Sequence, residues 1–69
     1  IMPYVNIKVT GKPVTKEQKM ELIKGVTDLL EQVLQKHPST TYVVIEEIPT
    51  DNWGAQGQQV TELLKTSKP

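Results

Sequence analysis

The sequence predicts an α+β fold built around one β-α-β unit, and three observations predict it. Apolar and polar residues alternate over positions 3–9, apolar residues recur at intervals of three and four over positions 22–34, and a β-branched run occupies positions 40–48. The first is the period of a half-buried strand and the second that of a helix with one apolar stripe. The third reads as a strand covered on both faces.

In the first strand Val5, Ile7 and Val9 share one face and Tyr4, Asn6 and Lys8 the other, and Gly11 and Pro13 stop it. Thr15 followed by Gln18 has the form of a capping box, in which each side chain satisfies the other's orphan backbone N–H, so the helix starts at about Lys16. Leu22, Ile23, Val26, Leu29, Leu30, Val33 and Leu34 form its apolar stripe, and lysines and acids occupy the remaining faces. Pro38 bars continuation and disfavours helical geometry at His37, which ends the helix by about Lys36. Thr40-Thr41-Tyr42-Val43-Val44-Ile45-Glu46-Glu47-Ile48 is the second strand, stopped by Pro49. Beyond it the chain is turn-rich to Gly57. Val60, Leu63 and Leu64 suit either a short helical turn or a strand, and residues 65–69 read as a mobile tail. If the two strands lie parallel, their connection is right-handed.

Size and composition narrow the function classes. The 69 residues fit one domain, with no room for a second core. A domain of this size removes only roughly 60% of its unfolded surface from water, and small domains compensate with disulfides, metals or association. Cysteine is absent, and the single histidine, His37, has no accompanying carboxylate motif, so neither a disulfide nor a metal site is expected. Association with further copies is the remaining source of stability. A two-stranded sheet under one helix leaves an uncovered face and open edges for other subunits to cover. Eight lysines balance eight acidic residues in scattered positions, so no attraction to nucleic acid is expected. No apolar run approaches the roughly 20 residues that span a bilayer, and no leader pattern precedes the first strand, so a cytoplasmic protein without a membrane partner is expected. Every cation is lysine, because the sequence has no arginine.

Met2-Pro3-Tyr4-Val5-Asn6-Ile7-Lys8-Val9, then Thr15-Lys16-Glu17-Gln18-Lys19, Leu22-Ile23, Val26-Thr27, Val43-Val44-Ile45-Glu46-Glu47 and Trp53-Gly54 resemble, in this order and spacing, the successive signatures of the 4-oxalocrotonate tautomerase family. The resemblance implies a tautomerase-like protomer with a short C-terminal hairpin. For that hairpin, Gly54-Ala55-Gln56-Gly57 is similar to the glycine-rich segment that helps join dimers into a hexamer. A homohexamer is therefore favoured over a dimer or trimer. The resemblance further implies a small anionic substrate, no cofactor, and a proline exposed as the chain terminus that acts as general base on a carbon acid beside a carbonyl.

Pro3 matches that proline. A proline with a free end is a secondary amine with a fixed ring, and an α-amino group ordinarily titrates at about pH 7.7–8.0. An apolar pocket and nearby ammonium groups lower that value into the range useful for proton abstraction. Ile1 and Met2 precede Pro3, so as written its nitrogen is an amide; they are read as an unprocessed start or expression remnant that the mechanism needs removed. The competing reading is a proline that merely opens the strand. The family holds its substrate with arginines near the end of the first strand and early in the second, where this sequence has Lys12, after Gly11, and Tyr42. Lysine supplies charge without the planar guanidinium fork, and tyrosine supplies only a hydrogen bond. Trp53 matches a position where the family sets an aromatic ring against the proline, excluding water. The plainer readings are a solvated turn lysine at Lys12 and interface packing at Tyr42 and Trp53.

Glu46 and Glu47 are adjacent in a strand, point to opposite faces and cannot share a proton, so they are assigned to lysine pairing or solvent. His37 is read as a surface residue at a helix end, where a cation is favourable. The glycines at 54 and 57 lack phosphate-loop spacing. Three functions follow. The first is a cofactor-free tautomerase acting on an unsaturated 2-oxo acid, with Pro3 as base, Lys12 and Tyr42 orienting the acid, and Trp53 closing the pocket. The second is a non-catalytic oligomeric module of the same fold. The third is a hydrolytic dehalogenase of the same superfamily, against which the lack of arginine counts.

Overall fold

The computed structural model describes residues 2–66, so Ile1 and residues 67–69 of the expected tail lie outside the described residues. Strand β1 (Tyr4–Val9) leads through helix α1 (Lys16–Leu34) and a 3-10 turn (Pro38–Thr40) to strand β2 (Tyr42–Glu47). A second 3-10 turn (Thr50–Asn52), strands β3 (Gly54–Ala55) and β4 (Gln58–Gln59) and helix α2 (Val60–Thr66) complete it. The β-α-β unit and the short hairpin are both present.

Strands β1 and β2 are parallel and in register from Tyr4 opposite Tyr42 to Val9 opposite Glu47. One further hydrogen bond extends the ladder at each end: Tyr42 N–H donates to the Pro3 carbonyl at 3.0 Å, and Ile48 N–H donates to the Val9 carbonyl at 2.8 Å. The capping box forms as the spacing requires, with Gln18 N–H donating to Thr15 Oγ1 and Thr15 N–H to Gln18 Oε1, both at 3.0 Å. Helix α1 stops short of Lys36 because Gln35 turns left-handed, with φ 54°, and donates its N–H to the Glu31 carbonyl. A left-handed residue of this kind satisfies a terminal carbonyl and redirects the chain.

Strand β2 starts later than the β-branched run because Pro38 nucleates the 3-10 turn, and the Thr40 and Thr41 hydroxyls donate to the His37 carbonyl at 3.0 and 3.2 Å. His37 Nδ1 accepts the Ser39 N–H at 3.1 Å. His37 is exposed, as its reading as a surface residue expects, and its side chain caps this 3-10 turn rather than the end of α1. Beyond β2, Gly54 pairs with Gln59 and Ala55 with Gln58, and the loop residues Gln56 and Gly57 both have positive φ, 56° and 75°. Two such residues give a hairpin turn whose twist matches that of the strands. Val60, Leu63 and Leu64 resolve to helix, and α2 takes in Lys65 and Thr66 from the stretch read as a tail.

Helix α1 covers one face of the sheet. On that face lie Val5, Ile7, Val9, Val43 and Ile45, all half-buried, with Glu47 tied to Lys19 of α1. The opposite face carries Tyr4, Asn6, Lys8, Tyr42, Val44 and Glu46, and Tyr4, Tyr42 and Val44 retain 63%, 52% and 42% of their accessible surface. No described residue is fully buried, and Met20, Leu29 and Val33 on α1 are also exposed. One protomer thus forms its backbone ladder without enclosing a core, and the two-face cover read for β2 is met on one face alone. No helix among the described residues is long and apolar enough to cross a membrane.

Candidate active site

The residues singled out from the sequence lie in two groups at opposite ends of the sheet. Pro3 is half-buried at the head of β1, where its carbonyl holds the Tyr42 N–H, and Tyr42 stands opposite Tyr4 at the start of β2. In this chain the Pro3 nitrogen is bonded to Met2 and is an amide. At the far end, Lys12 follows Gly11, whose φ of 103° is a conformation that glycine alone adopts freely. Lys12 is exposed and has no hydrogen bond or ion pair among the described residues.

Trp53 also belongs to the far end. The 3-10 turn after Pro49 brings its N–H to the Thr50 carbonyl at 3.4 Å, and its own carbonyl accepts the Val60 N–H at 2.8 Å, so both turn and hairpin hold it. It is half-buried and lines an open groove of about 410 Å³ together with Lys8, Ile48, Asn52 and Gly54. At about 3.3 Å per strand residue, Pro3 lies about 17 Å along β1 from Lys8 at the rim of this groove. A single protomer therefore brings Pro3 beside Tyr42 but does not bring either to Trp53 or Lys12.

Lys8 was not among the residues singled out from the sequence. Its signal was the period-two alternation, which puts Lys8 and Asn6 on the face away from α1, and the parallel register sets Glu46 beside it. Lys8 Nζ donates to Glu46 Oε1 at 2.8 Å and to Asn6 Oδ1 at 2.9 Å. The Glu46 hydrogen bond holds the Lys8 ammonium above its ordinary range, and Lys8, then Asn6, hold the Glu46 carboxyl below its own. Glu47 points the other way, where it accepts Lys19 Nζ at 2.7 Å and the Val14 N–H at 3.0 Å; Lys19, then the Val14 backbone, hold its carboxyl low. The two glutamates thus serve opposite faces as lysine partners. An apolar wall from Trp53 and Ile48, with an ammonium and an amide at its rim, suits a small organic anion.

The family profile described as "Tautomerase enzyme" matches residues 3–63. A probable tautomerase of Dickeya dadantii is 57% identical over 61 residues, which span 88% of this chain and 91% of that protein. The crystal structure of DmpI from Helicobacter pylori superposes with a TM-score of 0.86 at 38% identity, covering 91% of this chain and 97% of that one. A heterohexamer 4-oxalocrotonate tautomerase from Chloroflexus aurantiacus superposes with a TM-score of 0.80 over 90% of this chain and 98% of that one. At 22% identity that last likeness is one of fold.

Proposed function

The chain belongs to the tautomerase enzyme family, and we propose that it is a cofactor-independent keto–enol tautomerase whose general base is the amine of Pro3, freed by removal of the residues before it. The substrate is an unsaturated 2-oxo acid in its enol or keto form. The Pro3 amine accepts a proton from the enol hydroxyl or from the carbon beside the carbonyl. It then returns that proton at the other position, so the base is regenerated and the double bonds shift without a cofactor. Lys12 and Tyr42 orient the carboxylate and stabilise the developing enolate oxygen, and Trp53 excludes water.

The observation that carries this reading is the open edge of β1. The carbonyls of Pro3 and Val9 accept hydrogen bonds from the β2 side, so the intervening odd-numbered residues face β2 and the backbone groups of Tyr4, Asn6 and Lys8 face outward. Antiparallel pairing of this edge with its own copy, about a two-fold axis at Asn6, satisfies all three and sets Tyr4 opposite Lys8 of the partner subunit. Pro3 and Tyr42 of one chain then meet the groove end of the other, and the split site becomes two complete ones. Further association through the exposed apolar faces of the sheet and of α1 extends the pair to a homohexamer. Under the same reading the enzyme works in the cytoplasm.

The test uses protein beginning at Pro3 and follows the ultraviolet absorbance of 2-hydroxymuconate and phenylenolpyruvate. Pro3→Ala lowers kcat/KM by about 100-fold or more, in the range of a lost general base. A rate that this variant leaves unchanged removes the proline mechanism. It leaves the non-catalytic reading. Incubation with 3-chloroacrylate releases no chloride if the dehalogenase alternative is wrong.

A further inference from the structure

The sequence offers no arginine for an anionic substrate, and its lysines differ in what surrounds them. Lys16, Lys24 and Lys36 lie on α1 or just past its end, and Lys19 is occupied on the helix face of the sheet by Glu47. Lys12 stands in an open loop with no partner among the described residues to fix it. Lys65 pairs with Glu62 on α2, and among the described residues Lys8 is the one lysine that lines the groove that contains Trp53.

An ammonium has three donors, and two of those on Lys8 are committed, to Asn6 Oδ1 at 2.9 Å and Glu46 Oε1 at 2.8 Å. These partners lie on the sheet itself, on β1 and across on β2, so they fix where Nζ sits. The third donor has no protein acceptor among the described residues and is available to a ligand in the groove. The side chains of the pair are about half exposed, at 56% and 46%, and an ion pair so exposed is held weakly enough for a ligand carboxylate to share the cation.

We infer that Lys8 is the carboxylate-recognising residue of the Trp53 groove, with Asn6 and Glu46 as its positioning residues and a small aliphatic carboxylate or dicarboxylate as the ligand. This deepens the tautomerase reading and rests on it for the ligand's identity as substrate. In the antiparallel pair, Lys8 lies opposite Tyr4 of the partner subunit, one residue from the proposed base. A carboxylate bound there presents its neighbouring carbons to that amine. Lys12, in the loop beyond, and Tyr42 act with Lys8 in orienting the acid and stabilising the enolate oxygen.

Trp53 is the one tryptophan of the chain, so its fluorescence reports on the groove without requiring turnover. The wild-type protein is titrated with adipate, which does not absorb where tryptophan emits, and with the neutral adipamide of the same length. Adipate gives a saturable change, adipamide binds at least about 10-fold more weakly, and Lys8→Met weakens adipate by about 10-fold or more, in line with the loss of one charged hydrogen bond. Lys8→Arg retains binding. Glu46→Gln removes the carboxylate charge while its amide oxygen still accepts from Lys8 Nζ, so the positioning is kept and adipate binding is unchanged or tighter because a competing carboxylate is gone.

The inference is overturned if adipate does not bind, if adipamide binds equally, if Lys8→Met titrates like wild type, or if Glu46→Gln loses binding as Lys8→Met does, which would mark the effect as structural. Should Lys8→Met fail to assemble, the adipate–adipamide contrast and the Glu46→Gln titration decide the matter. Pro3→Ala separates the two levels: Lys8-dependent binding beside an unaltered rate keeps the anion site and removes the proline mechanism.

Discussion

At Pro3 the whole of the proposed chemistry depends on one bond, because an amide nitrogen has no basic lone pair and a free pyrrolidine nitrogen does. Trp53 is then proposed to act on that amine by keeping water from it, which disfavours the ammonium form and lowers its pKa. Since the base works deprotonated, activity is present above that pKa and lost below it. Trp53→Ala raises the pKa, and the acid limb of the kcat/KM profile moves to higher pH; an unmoved limb in that variant removes Trp53 from the pocket. The candidacy of Pro3, Lys12, Tyr42 and Trp53 was legible only through the family resemblance, to which Pro3 adds the distinctive chemistry of a free ring amine. The role of Lys8 was not, since a lysine on an alternating strand reads as solvated until the register supplies Asn6 and Glu46 as partners. The opposite orientations of Glu46 and Glu47 were legible from the period of a strand alone, and their separate lysines follow from it.

Among the elements, those set by local chemistry were read most closely. The capping box at Thr15 and Gln18 starts α1 where the spacing requires, and its loss is measurable: Thr15→Ala costs about 1 kcal/mol in urea unfolding, while Thr15→Ser is near neutral. The end of α1 was read less well, because a left-handed Gln35 carries no signal of the kind that glycine does at such a position. The segment between α1 and β2 is likewise shaped by hydrogen bonds from Ser39, Thr40 and Thr41 to His37, which no periodicity reports.

Glu47 joins three elements, since it accepts from Lys19 on α1 and from the N–H of Val14 in the loop before it while standing at the end of β2. Its carboxyl is held low in the folded chain, first by Lys19 and then by Val14. A depressed carboxyl contributes stability that is fully present above its unfolded pKa and is lost as pH falls through the folded value. Thermal unfolding scanned from neutral pH down through the carboxylate range therefore shows a smaller acid-induced loss in Glu47→Gln than in wild type. Glu46, also held low, supplies a part of the loss that remains.

For the molecule as a whole, the sheet edge and the divided site make the same demand. Among the described residues one protomer encloses no core, and it keeps Pro3 about 17 Å along β1 from Lys8 of the Trp53 groove, so a lone chain is short of burial and, under the proposed function, of chemistry. Asn6→Pro removes an N–H that faces the open edge and leaves the β2 ladder untouched, because that ladder uses the odd residues of β1. Sedimentation of this variant shows dissociation, and activity falls with it. Complementation tests the division of the site more directly. Pro3→Ala and Trp53→Ala chains are each impaired alone. In a two-fold pair of one with the other, one site carries both substitutions and the second carries neither. Random co-refolding places half of the chains in such pairs, so about a quarter of all sites are intact and activity rises well above the mean of the separate variants. A site contained within one protomer gains nothing from mixing, because each chain brings its own defect, and a mixture no more active than that mean rules out the shared arrangement.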